Sequence, residues 1–524
     1  WPLVALGQTS RVPSLLASLR TVTTFELRTL LRRPGILLAP PLLIAQVVGE
    51  VWGQGGGFGT EVIATAGWVA VRSAGVLSTV ICLMSMFYLV ESLHRERALR
   101  LDGIYYSAPA EDAAIVGGKV LANTLLGFAI VAVAMVAGAL ALALRGEAPV
   151  ELGPFVLVWV LAIGPSLLLW NSFVAAAYTL SGSRNLGYGA GLAALAATIY
   201  GSVTNELTYV DNWALWGTLR WSDISVFELD RAALVDNRIT ALLASAFCLQ
   251  LAVVGFRRRS RDPLAAAVSR SPRRLVPLAL ATLAALFVTH REVEAGPDGD
   301  RAEDAREDYW RAHHDTWLAA PKPGLAEVDL DLDIEPAERR FAVKGSYTVV
   351  NHHDAPLPRF AVTLRETFED LRFTLDGEPY EVAPRAGLLV VERPLGVGER
   401  VTLGFSYRGH HPAGSGKHGM RRKEFVLPSG VIFNSLTPAV LPTIGYEREL
   451  GVDEDNETEP RHHYPGYHEA RLEPYLGSAT PFSTRIAITG PADFTFNSVG
   501  RLTADETQGD RRRGVWESVA PGRF

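Results

Sequence analysis

Only two cysteines occur in 524 residues, Cys82 and Cys248, and both fall inside apolar runs. So few thiols exclude a disulfide framework or a cysteine-rich metal centre as organising features; these two read as small buried apolar groups. No G-x-x-x-x-G-K-S/T stretch occurs, so the chain carries no phosphate-cradling loop for hydrolysing a nucleoside triphosphate. No H-E-x-x-H occurs, so no helix offers two imidazoles and a carboxylate to one metal ion. His468-Glu469-Ala470-Arg471-Leu472 begins that pattern, but Leu472 stands where the second histidine is needed. Charge is scarce by position rather than in total. Long stretches before His290 hold almost none, and after His290 no apolar run is long enough to cross a bilayer.

What is present follows from that break. A helix needs about 20 apolar residues to span a bilayer core. Seven runs approach this: Ile36–Trp52, Val62–Val90, Val120–Leu144, Pro154–Leu180, Leu186–Ser202, Ile239–Phe256 and Leu275–Thr289. Pro40 and Pro41 remove backbone donors from the first and are expected to kink or break it. The second is long enough to tilt or to form two pieces, and its Arg72 must face protein or water.

Loop charge gives a sidedness. Arg20, Arg28, Arg32 and Arg33 precede the first run; Arg95, Arg97, Arg100 and Lys119 follow the second; Arg184 follows the fourth; Arg257, Arg258, Arg259, Arg261, Arg270, Arg273 and Arg274 follow the sixth. The alternate loops are glycine-rich, nearly neutral or acidic, the last kind at Val203–Asp236 with Glu206, Asp211, Asp223, Glu228, Asp230 and Asp236. Basic loops lie on the cytoplasmic side. The expectation is an integral membrane protein in contact with the lipid bilayer, its N-terminus cytoplasmic and everything after Thr289 outside, as in a bacterial inner membrane. Nucleic acid is not an expected partner.

One basic loop has a recognisable order. Glu91-Ser92-Leu93-His94-Arg95-Glu96-Arg97 leads to Leu101-Asp102-Gly103-Ile104-Tyr105-Tyr106-Ser107-Ala108-Pro109-Ala110, then Gly118-Lys119-Val120. This resembles the cytoplasmic segment of ABC-type exporter permeases of the second bacterial class. Phe25-Glu26-Leu27-Arg28 with Arg32-Arg33-Pro34 resembles the interfacial helix of the same class. The resemblance implies a separate ATPase subunit as partner, since the chain has no phosphate loop. The bland alternative is a solvated loop of any polytopic protein, with His94 in water.

After the charged stretch Arg291–Arg311 the period changes to two. Val328, Leu330, Leu332 and Ile334 alternate with Asp329, Asp331 and Asp333, a strand with one wet face. Further strands are expected at Phe360–Leu364, Leu371–Leu375, Leu388–Val391, Val401–Tyr407, Glu424–Leu427, Val431–Asn434, Thr484–Thr489, Phe494–Ser498 and Gly514–Glu517, with turns at Asp376-Gly377 and Pro428-Ser429-Gly430. His352-His353 and His410-His411 read as turn residues. The fold class expected is an α-helical polytopic membrane domain, residues 1–290, a charged linker, 291–311, and an all-β extracytoplasmic domain, 312–524, built as an antiparallel sandwich.

Glu327–Pro336 followed by Arg340-Phe341-Ala342-Val343-Lys344-Gly345-Ser346-Tyr347 resembles the opening hairpin of the N-terminal β-domain of aminopeptidase N-like zinc peptidases. Pro481–Thr489 through Asn497-Ser498-Val499-Gly500 resembles that domain's later strands, and Phe433-Asn434 through Pro442-Thr443-Ile444-Gly445-Tyr446-Glu447 resembles the variant found in bacterial permease–peptidase fusions. The resemblance implies peptide substrates and a zinc ion held in a catalytic domain beyond Phe524, with this chain a fragment. It assigns no catalytic or metal residue here. Asn434 and Glu447 are the substrate-binding candidates it implies, at the edge of a peptidase cleft; the alternative is loop residues on a sandwich surface. His462, His463, His468 and Glu469 read as a surface loop rather than a preorganised metal site, and Asn456-Glu457-Thr458 is a glycosylation sequon. The other reading of the whole is a transporter subunit with a non-catalytic extracytoplasmic binding domain.

Overall fold

The computed structural model describes residues 13–53, 63–204, 207–219, 221–223, 227–228, 231–258, 272–294, 305–306, 308–310, 312–313, 317, 320–365, 368–410, 425–433, 440–446, 476–478 and 480–522. They form two compact units that divide between Val293 and Glu294.

The first unit is helical. Its elements are α1 (Leu15–Leu31), a 3₁₀ turn at Pro34–Leu38, α2 (Ala39–Trp52), α3 (Ala66–Ala98), α4 (Asp102–Tyr105), α5 (Asp112–Arg145), α6 (Gly153–Phe155, continuing as a π-helical turn over Val156–Ala162), α7 (Gly164–Ser181), α8 (Arg184–Val203), α9 (Arg231–Gly255) and α10 (Pro272–Glu294). Among the described residues seven helices are long and apolar enough to cross a membrane, one for each expected run. Pro40 and Pro41 do break the first run. They fall in the opening turn of α2, where a missing N–H costs no helical hydrogen bond. The second run is one unbroken helix of 33 residues. Its Arg72 meets Glu50 of α2 at 3.5 Å and lies 5.3 Å from the Trp68 ring. α5 and α7 end where Gly146 and Gly182 take left-handed backbone, the conformation a side chain disfavours.

The second unit holds thirteen strands among its described residues: β1 (Gly324–Glu335), β2 (Arg340–Val350), β3 (Phe360–Thr363), β4 (Glu369–Leu375), β5 (Glu378–Tyr380), β6 (Leu388–Val391), β7 (Arg400–His410), β8 (Phe425–Leu427), β9 (Gly430–Ile432), β10 (Thr443–Ile444), β11 (Ser483–Pro491), β12 (Arg501–Gln508) and β13 (Arg511–Glu517). The large sheet runs β12-β13-β11-β1-β2-β7-β4-β5, and a small sheet runs β10-β3-β6. Both contribute to one core: Leu330, Tyr347, Leu403 and Phe405 come from the large sheet, Phe360, Val362 and Leu389 from the small one.

The sheet is mixed, which corrects the expected antiparallel sandwich. β1 pairs with β11 in parallel from Glu327↔Ser483 to Asp333↔Thr489. A parallel pair needs a long crossover, and here residues 336–482 intervene, so no local turn announces it. Two further expectations fail for physical reasons. Phe494–Ser498 is irregular, and the chain pairs later, in β12. β12 is a sheet edge exposed along its whole length, so it has no apolar period to read. His410 ends β7 rather than lying in a turn, with Glu369 at 3.4 Å. His353 does lie in the turn after β2, its ring against the Lys322 carbonyl at 2.9 Å.

The acidic face of β1 is neutralised in place. Asp329 pairs with Arg485 at 2.9 Å, Asp331 with Arg513 at 2.6 Å, Asp333 with Arg511, and Glu335 with Arg511 at 2.5 Å. Before β1, the aromatic end of the charged stretch packs on the small sheet. Trp310 is fully buried with Ala361 and Leu388, donates to the Ala386 carbonyl at 3.1 Å, and lies 4.4 Å from the Tyr446 ring.

Candidate functional site

The motif residues of α1, α3 and α5 meet at one end of the helical unit. Ser92, Arg95 and Glu96 stand at i, i+3 and i+4 of α3 and so share a face. That face receives Glu26 from α1 and Lys119 from α5. Glu26 and Lys119 are fully buried and Glu96 nearly so. Arg95 grips Glu26 with two donors, Nη2 to Oε1 at 2.5 Å and Nη1 to Oε2 at 3.1 Å. Its Nη2 also reaches Glu96 Oε1 at 2.8 Å. Lys119 Nζ donates to the Ser92 carbonyl at 2.5 Å and to both Glu96 oxygens at 3.0 and 3.1 Å, and stands 3.1 Å from Glu26 Oε1. Ser92 Oγ donates to Glu26 Oε2 at 2.9 Å.

Two carboxylates and two cations therefore cancel inside an apolar bundle. Burial alone would raise the Glu26 pKa, but Lys119 and Arg95 outweigh it and hold the carboxyl below its ordinary value. Close approach of α1 makes the contact possible. A side chain at Gly118 would put its Cβ 2.6 Å from Val22 Cγ1 and 3.2 Å from the Thr23 nitrogen.

A second set of contacts pins the loop between α3 and α5. Arg258, just past α9, donates to the carbonyls of Tyr106 at 3.0 Å and of Ala108 and Ala110, and pairs with Asp112 at 2.7 Å. Arg97 Nη2 reaches the Arg257 carbonyl at 2.6 Å. Tyr188 donates to Glu91 at 2.7 Å. His94 is not free in water as expected: its Nδ1 lies 3.0 Å from the Tyr178 hydroxyl. Over this anchored base the loop turns apolar side chains outward, Leu99, Leu101 and Ile104 being 61%, 47% and 77% exposed. These contacts tie the loop to α1 and to the long helices α3, α5 and α9.

Asn434 and Glu447, the substrate-binding candidates, lie outside the described residues, as do His462, His463, His468, Glu469 and the sequon at Asn456. Among the described residues no group of three or more His, Cys, Asp or Glu side chains could hold a metal ion. The described residues do not fit a zinc centre, and no zinc chemistry is assigned to them.

Sequence reasoning found Glu26, the Glu91–Arg97 stretch and Lys119 separately and did not see them meet. It missed Arg238 altogether, which falls one residue outside the expected sixth run. Its other omission was the inward packing of the loop after α8, for which the density of tryptophan at Trp213, Trp216 and Trp221 was the available signal.

A bundle of long apolar helices carrying a buried charge network, joined to a mixed-sheet β unit, is the class these features define. No family model matches the chain, and no curated protein matches it. Solved structures similar to part of it include an M1 zinc metallopeptidase from Deinococcus radiodurans, at 17% identity and a TM-score of 0.28 over 38% of this chain. A mutant M1 enzyme from Deinococcus radiodurans bound to a Tyr-Ser-Ala substrate is similar at 15% identity and a TM-score of 0.25. The chain spans 40% of the length of each. The likeness is partial.

Proposed function

We propose that the chain is the permease portion of an ABC-type transporter of the second bacterial class, joined to the extracytoplasmic β-domain of an aminopeptidase-like protein. The helices cross a bilayer with the Glu26 network at the cytoplasmic end. A separate ATPase subunit presses on the loop at Leu99, Leu101 and Ile104. The buried four-charge network beneath that exposed apolar loop carries the reading. A solvated connecting loop has no need of a rigid base, whereas a loop that receives force needs one. The alternation of loop charge and the resemblance of the Glu91–Lys119 order support the same side and the same class.

The β unit belongs in this reading to a membrane-bound zinc aminopeptidase acting on peptide N-termini outside the membrane. Support comes from the Glu327–Tyr347 and Pro481–Gly500 resemblances. Zinc and its ligands would lie outside the described residues, and no hydrolytic step is derived from these.

A photo-crosslinking side chain at Ile104, in membranes of the native source, tests the coupling. The expected product is an adduct with a polypeptide that an azido-ATP analogue also labels, and the same probe at Leu144 should give none. An adduct-free Ile104 in membranes where the protein is intact rejects the ATPase partner.

A further inference from the structure

α2 and α5 meet at a position without a side chain. A Cβ at Gly138 would fall 3.0 Å from Val47 Cγ1 and 3.2 Å from Phe155 Cζ. Beside that contact α5 offers only small groups, Ala132, Ala137 and Ala141, and α2 offers Ile44, Val48 and Trp52. Val136 and Leu140 of α5 stand out beside the alanines, both exposed. Small residues between large ones leave an open groove of about 600 Å³ on the outside of the bundle.

The groove suits nothing polar. All of its lining residues are apolar. A peptide backbone lying there would leave its N–H and C=O groups unpartnered, and water would find no partner either. It is also narrow. Ala132 to Leu144 is about 18 Å of helix, and the volume spread over that length gives a width of roughly 6–7 Å. The helix of a second copy, about 10–12 Å across with its side chains, is too wide to lie in it. A hydrocarbon chain is not. The length fits as well: half of a bilayer core is about 15 Å, so the groove reaches from the membrane surface to the midplane.

Its upper end lies at Trp52 and Leu144, far along α5 from Lys119 and so in the outer leaflet on the loop-charge reading. The groups at that end favour a cation. α5 closes on Arg145, which donates to the Val51 carbonyl and pairs through Nε with Glu147 Oε2 at 2.7 Å. The Arg145 side chain is 12% exposed and that of Glu147 38%, so the carboxylate is the charge offered to the surroundings. Trp52, half exposed and next to Val51, adds an indole, whose face attracts an ammonium group.

We propose that the α2–α5 groove is a site for one phospholipid with an ammonium headgroup. One acyl chain lies between Val48 and Leu140, and the headgroup sits at Glu147 and Trp52. The site rests on the helices crossing a bilayer. It requires neither the ATPase partner nor the peptidase, so its failure and that of the Ile104 crosslinking are separate results.

The test is native mass spectrometry of the full chain in detergent, stripped of lipid and then offered dioleoyl phosphatidylethanolamine or dioleoyl phosphatidylglycerol. The unaltered protein should retain one ethanolamine lipid, with a preference over the glycerol lipid of about threefold or more. Ala137→Phe fills the groove from a wall that faces lipid and should lose the adduct. Ala132→Phe fills its deeper end and should do the same, which keeps the test open if one variant does not fold. Leu283→Phe, on the exposed face of α10, should leave the adduct intact. Glu147→Gln should bring the two lipids level while the chain still binds. No adduct in the unaltered protein overturns the site, and so does an adduct that survives both filling changes, because the lipid would then sit elsewhere. Equal retention of the two lipids, or an unchanged preference in Glu147→Gln, overturns the headgroup assignment. A lipid-free dimer that Ala137→Phe splits would give the groove to a second copy and overturn the proposal.

Discussion

Lys119 Nζ and Glu26 Oε1 stand 3.1 Å apart with both side chains fully withdrawn from solvent. Each also meets an opposite charge from α3, Glu26 with Arg95 and Lys119 with Glu96, so α1, α3 and α5 share one buried network. That relationship brings two separate sequence motifs into one buried charge network.

Removing one member should therefore cost more than the contact itself. Lys119→Met leaves two buried carboxylates facing Arg95, and such uncompensated charge costs about 3–5 kcal/mol. Thermal unfolding in detergent should show a large fall for Lys119→Met or Glu26→Gln. The double variant should recover a good part of the loss. Strict additivity of the two losses would mean that the residues are not coupled.

Close helix approach should be as demanding as the charges. Gly118→Leu forces α1 away at Val22 and Thr23, where a Cβ already lies too near. Limited trypsin digestion should then cut at Arg20 and Arg28 faster than in the unaltered protein. Unchanged cleavage would mean that α1 is held without the Gly118 contact.

The lowered pKa of Glu26 sets an acid limit. A carboxyl whose folded pKa lies below its unfolded value stabilises the fold above the unfolded value, and that gain is lost as pH falls through the folded one. This group should add no slope to thermal stability between about pH 5 and pH 8, and a fall below about pH 4. Glu26→Gln should flatten that acid slope while lowering the neutral plateau. An identical acid slope in both proteins counts against the linkage.

Trp310 should behave as a core residue of the β unit although it precedes the first strand. Trp310→Ala opens a cavity at the small sheet and should cost about 3–5 kcal/mol. Tryptophan fluorescence during denaturant unfolding of the β unit reads this; a change under about 1 kcal/mol would make the contact superficial.

Sidedness is open to a direct measurement. Reporter fusions after Pro272 and after Gly296 should report opposite compartments, because α10 lies between them. Equal signals would overturn the topology.

The seven apolar runs, the alternation of loop charge and the wet and dry faces of β1 were legible in the sequence. Each depends on neighbours within one or two turns or on strand alternation, so the chain states it locally. Tertiary structure decided the rest. Glu26 and Ser92 lie 66 residues apart and Asp329 and Arg485 lie 156 apart, and no local pattern encodes such a meeting. β12 hides because a strand exposed on both faces has no hydrophobic period. The inward loop at residues 207–219 hides because its polar groups look solvated until Asn212, Asn237 and Arg238 supply the partners that water would otherwise provide.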